Sequence, residues 1–108
     1  FIPDERVRVA VYRRIAEATD ADEVHALRQE LGDRFGQLPS SVERLLTLAD
    51  IRILAANTGI HLVEVRNRKI ILKRDEDYIM DSARFTTLTT TTPDDQLQEL
   101  HDHIRELA

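Results

Sequence analysis

PSSVERLLTLADIRILAANTG, residues 39–59, carries the longest helical pattern in the chain. Wound at 3.6 residues per turn, it sets Val42, Leu45, Leu46, Ala49, Ile53 and Ala56 on one side. Leu48, Ile51, Leu54 and Ala55 widen that face, leaving Glu43, Thr47, Asp50 and Asn57 a narrow polar stripe. So apolar a helix predicts cover from neighbours on more than one side. Ser40 or Ser41 can cap its first turn, and Gly59 can take the left-handed conformation that closes its last. Arg52 falls inside the apolar arc. Its stem can lie on the core with its head in water, or it can enter a buried ion pair.

Upstream, RVRVAVY (residues 6–12) alternates like a strand, but Val7, Val11, Ile15 and Ala18 trace a longer helical stripe. Pro3, Asp4 and Glu5 form a helix start, so the spacing predicts a helix from Asp4 to Ala18 with Tyr12 at the edge of its buried face. A second helix starts at the capping pair Asp20 and Glu23, buries Val24, Leu27, Leu31 and Phe35, and ends at Gly36. Gly32 lies inside it at a cost of about 1 kcal/mol relative to Ala. Glu30, Asp33 and Arg34 cannot join the buried stripe and form a polar ridge, with Glu30 and Arg34 spaced for an i,i+4 pair. Two carboxylates at that end oppose the helix dipole; Arg28 and Arg34 offset part of this. The short Gly36–Pro39 connection predicts an antiparallel helix hairpin.

After Gly59 the period shortens to two. Residues 60–66 and 69–73 read as strands joined at Asn67-Arg68. Asp75, Glu76 and Asp77 form a charged loop, and residues 78–80 and 84–89 read as a second short hairpin around Asp81-Ser82-Ala83. The threonine run from Thr86 to Thr92 suits an exposed strand entering a loop. Thr92, Pro93, Asp94 and Asp95 start a last helix whose stripe is Leu97, Leu100, Ile104 and Leu107.

The chain has 108 residues, a formal charge of -5 and no cysteine. The length suits a single domain, residues 1–108. It begins with Phe1, which reads as a piece excised from a larger multidomain protein. Without cysteine, disulfides and thiolate metal sites are excluded, which fits a cytoplasmic location. No apolar run approaches the ~20 residues of a membrane span, so no membrane partner is expected. Charge is segregated: residues 1–58 carry a net -2, residues 59–74 a net +4 and residues 75–108 a net -7. Attraction between the last two blocks within one fold is the simple expectation.

No catalytic constellation is present. The three glycines lie in or beside helices, which leaves no phosphate-cradling loop. His101 and His103 point about 200° apart on a helix, unlike the i,i+4 spacing of zinc helices. No metal, cofactor or enzymatic activity is expected. The basic run Arg66, Arg68, Lys69, Lys73 and Arg74 allows a small nucleic-acid-binding module as an alternative, although basic residues equally guard a strand edge.

Two segments carry a resemblance to a family. Phe1-Ile2-Pro3-Asp4-Glu5-Arg6 with Tyr12-Arg13-Arg14-Ile15-Ala16 is the first. Glu30-Leu31-Gly32-Asp33-Arg34-Phe35-Gly36-Gln37-Leu38-Pro39, running into the apolar helix and Gly59-Ile60, is the second. In order and spacing, residues 1–74 resemble the C-terminal domain of the bacterial transcription-repair coupling factors, the Mfd family. In residues 75–108 the chain passes through DEDYIMDSARF where the family usually has a further helix, and Gly32 stands where an apolar residue is common. The resemblance implies a parent that is an ATP-driven DNA translocase, whose motor motifs are absent here and which meets RNA polymerase and DNA through other domains. It implies a regulatory, autoinhibitory role for this domain: packing on the N-terminal UvrB-like module of the same protein and competing there with UvrA. Glu30, Asp33 and Arg34 then become the interdomain contact, their carboxylates meeting basic side chains across it. The fold expected is α/β of the α+β type: about three N-terminal helices, a small antiparallel sheet and a C-terminal helix.

Overall fold

The computed structural model describes residues 4–80 and 83–107. It contains four helices and a small antiparallel sheet, the α+β class read from the sequence. The chain divides into two compact units, residues 1–53 and 54–108.

The first unit holds α1 (Glu5–Glu17), α2 (Ala21–Phe35) and most of α3 (Ser40–Asn57). Each of the first two helices begins at an aspartate. The Asp4 side chain accepts from the Arg6 N–H at 2.8 Å, and that of Asp20 from the Glu23 N–H at 2.8 Å. Glu23 reaches back to the Thr19 N–H at 3.0 Å, completing a capping box displaced by one residue. Gly36 closes α2 with φ +76°. The start of α3 differs from expectation: Ser40 and Ser41 already lie within its first turn. The Pro39 carbonyl instead accepts from the N–H groups of Val42 and Glu43, at 3.0 and 3.1 Å.

Val11, Ile15 and Ala18, Val24, Leu27 and Leu31, and Val42, Leu46, Ala49 and Ile53 bury together, with Val7, Phe35 and Leu38 at their margin. These are the stripes read from the sequence, with one correction. Leu45, Leu48 and Ala56 are exposed. Periodicity marks a helix's apolar arc, whereas neighbours decide how much of it is covered, and α1 and α2 leave part of α3's arc open. Arg28 of α2 bridges to α3, meeting Glu43 at 3.5 Å and Asp50 at 3.3 Å. Arg52 donates to the Ile15 carbonyl at 3.3 Å from an exposed position, the first of its two expected arrangements.

The second unit begins with the last turn of α3. Thr58 donates its hydroxyl to Ala55 and Leu54 carbonyls, and Gly59 turns the chain with φ +77°. Strands β1 (Ile60–Arg66) and β2 (Lys69–Arg74) pair antiparallel through a two-residue turn. Asn67 and Arg68 there have φ of 51° and 66°, the left-handed pair that matches strand twist. Two further strands are short, β3 (Asp77–Tyr78) and β4 (Thr86–Thr87). The expected second hairpin is corrected here: β3 and β4 both pair with β2, Lys73 opposite Tyr78 and Ile70 opposite Thr86. The long β2 offers one unpaired edge, and two-residue strands gain more by occupying its two ends than by pairing each other. Asp81 and Ser82, at the centre of the expected turn, lie outside the described residues. Thr92 caps α4 (Pro93–Glu106), accepting from the Asp95 N–H at 3.2 Å, and Leu100 and Ile104 are its buried residues.

Candidate functional site

The ridge proposed from the sequence stands on the last two turns of α2, with Glu30, Asp33 and Arg34 all exposed. It lies there because Leu27 and Leu31 turn to the core, which sends the residues three and four positions apart from each other to the outer face. The structure does not join Glu30 to Arg34 in the expected i,i+4 pair. Glu30 accepts instead from Arg14 of α1, sixteen residues earlier. Hydrogen bonding to that guanidinium holds the Glu30 carboxyl below its ordinary range, and the Arg14 charge and the more distant Arg34 add to the effect. Arg34 lies over the Phe35 ring, 4.8 Å from its centroid. The ridge is thus acidic at Glu30 and Asp33 and cationic at Arg34, and α1 contributes a fourth member that local spacing could not reveal.

The basic hairpin is largely engaged within its own unit. Arg68 donates to the carbonyls of Leu88 and Thr90 at 2.9 and 2.7 Å, and its own carbonyl accepts from the Leu88 N–H at 2.6 Å. Arg74 donates to the Thr58 carbonyl at 2.9 Å, and Arg66 pairs with Glu64. Lys73 sits 5.4 Å from the centroid of the Tyr78 ring. The link between the basic block and the acidic tail segment seen at Arg68 therefore runs to backbone carbonyls.

A second acidic centre was not anticipated. The Glu99 carboxylate accepts from the backbone N–H groups and hydroxyls of both Thr89 and Thr90, at 2.7 to 3.2 Å. These donors lower its pKa to about 2. The threonine run thus ends as a donor loop around a carboxylate ten residues away. Among the described residues no group of three or more His, Cys, Asp or Glu is placed to hold a metal. Nor is any helix long and apolar enough to cross a membrane.

Together these elements define a small α+β domain with a charged ridge on its second helix. The TRCF domain profile matches residues 1–85, and the chain belongs to that family. It is similar to the transcription-repair-coupling factor of Escherichia coli (strain K12), with 42% identity over 64 residues, 59% of this chain and 6% of that protein. The Myxococcus xanthus protein of the same description is 28% identical over 88 residues, 82% of this chain and 7% of that one. The chain therefore spans only a small part of these curated relatives. Its fold is similar to a crystal structure of the C-terminal domain of transcription-repair coupling factor, with TM-score 0.76 and 18% identity, covering 99% of this chain and 84% of that one.

Proposed function

We propose that this domain is the regulatory C-terminal part of a transcription-repair coupling factor, holding its parent in an autoinhibited state. In that state it packs on the N-terminal UvrB-like module and covers the surface that UvrA would bind, with no catalysis of its own. Family membership supports the parent. The observation that supports the docking surface is the exposed pair of carboxylates, Glu30 and Asp33, near the C-terminus of α2. Carboxylates at that end work against the helix dipole, and the core does not need them. Stability gives no reason for Asp33 to be acidic, whereas a basic partner surface does.

Charge pairs at such a contact supply register and a releasable hold. Glu30 is already paired with Arg14, but both side chains are about half exposed, at 45% and 51%. An exposed pair of this kind is worth little, so exchanging Arg14 for a cation on the partner costs little. A lid must also be only a few kcal/mol more stable closed than open, or no competitor could displace it.

Titrating the N-terminal module with this domain supplied in trans tests the contact. Binding that weakens with salt, and that Glu30→Lys with Asp33→Lys abolishes, supports the ridge as the dock. Binding unaffected by the double charge reversal would contradict it.

A further inference from the structure

The first unit has a second surface that the ridge does not use. Along α1, Val9, Tyr12, Arg13 and Ala16 follow one another at helical spacing, and all four are exposed. Along α3, Leu45, Leu48 and Arg52 do the same. Between these two stripes runs a groove of about 220 Å³, walled mainly by Tyr12 and Ala16 on one side and Leu45 and Leu48 on the other, with Arg52 beside them. Val9 is 49% exposed and Leu48 47%. Large apolar side chains left open in a cluster mark a surface that gains by being covered.

The groove's shape suits a helix. Its two walls are helices, whose side chains recur every three or four residues, and that spacing accepts the matching ridge of a third helix. The charge of its rim suits an acidic occupant. Arg52 lines the groove and Arg13, the residue after Tyr12 on α1, is exposed about 100° around that helix from it, with Glu5 and Glu17 near the two ends of α1. The Arg52 guanidinium is held by its bond to the Ile15 carbonyl, which uses one of the five N–H donors such a side chain carries.

We propose that the α1–α3 groove receives an acidic amphipathic helix from a protein partner. Apolar side chains of that helix, at i, i+3, i+4 and i+7, seat between Tyr12 and Leu48, and its flanking carboxylates meet Arg13 and Arg52. This is recognition of a helix in a groove, and it is separate from the ridge on α2. Arg14, which faces Glu30, points about 200° around α1 from Tyr12.

The test uses the whole chain and two labelled synthetic helices with the same leucine pattern, one flanked by glutamates and one by lysines, read by fluorescence anisotropy. The acidic helix is expected to bind at least tenfold more tightly than the basic one. Leu48→Glu should weaken it at least tenfold, and Arg13→Glu with Arg52→Glu should reverse the preference. Helical circular dichroism confirms that each variant folds, with Leu48→Ser as the second choice should Leu48→Glu fail. Equal binding of the two helices, no binding of the acidic one, or indifference to position 48 would overturn the proposal. So would sedimentation showing that the chain dimerises through Leu48, since the occupant would then be a second copy.

Discussion

Arg14 on α1 donates its guanidinium N–H to the carboxylate of Glu30 on α2, and so ties the proposed docking ridge to a different helix. The pair links the outer face of α2 to α1.

The Glu30 carboxyl consequently titrates below its ordinary value, chiefly because of that hydrogen bond. A carboxyl with a lowered folded pKa contributes its stabilisation fully above its unfolded pKa and loses it as pH falls through the folded one. Carboxyl NMR titration of Arg14→Ala should show the Glu30 pKa rising toward the unperturbed range. An unchanged Glu30 midpoint would mean that the pair does not persist in solution.

Glu99 provides the larger acid-side effect. Its pKa of about 2 arises first from the Thr90 hydroxyl and then from the Thr89 and Thr90 N–H groups. Stability owed to this carboxylate is complete above the ordinary carboxyl pKa of 4.5 and fades between there and about 2. Urea midpoints of the parent chain and Glu99→Gln should differ by a constant amount near neutrality and converge as pH falls through that window. A gap that stays constant down to acid pH would contradict the assignment.

Two glycines should respond in opposite directions to alanine. Gly32 lies inside α2, and a Cβ there would meet nothing within 4 Å, so Gly32→Ala should stabilise by up to about 1 kcal/mol. Gly59 has φ +77°, and a Cβ there would make only an ordinary contact, 3.8 Å from Arg74 Cγ. Its cost is therefore backbone strain, and Gly59→Ala should destabilise by about 1–2 kcal/mol. Thermal midpoints shifting by several degrees in opposite directions would agree with this; a common direction would not.

How far the chain could be read in advance depended on where the signal lay. Asp4, Asp20 and Thr92 act on donors two or three residues away, so three helix starts were legible locally. The Asn67-Arg68 turn was legible too, because two alternating runs are separated there by just two residues. The pairing of β3 and β4 was not, because strands of two residues carry no periodicity and the edge they choose is set by β2. On α3 the apolar arc was correct in outline, yet Leu45 and Leu48 stayed open because cover comes from other helices. At the ridge, Glu30, Asp33 and Arg34 were legible as residues excluded from the core. Arg14 was missed, since a partner sixteen residues distant leaves no local trace, and the Glu99 contact with Thr89 and Thr90 was hidden in the same way.

The affinity of the intact parent protein for UvrA, measured with and without Glu30→Ala plus Asp33→Ala, bears most directly on the proposed lid. Removing both carboxylates should loosen the dock and raise UvrA affinity by roughly tenfold or more, the factor expected for the loss of about 1.4 kcal/mol of closure. An affinity as weak as that of the unaltered parent would contradict the account.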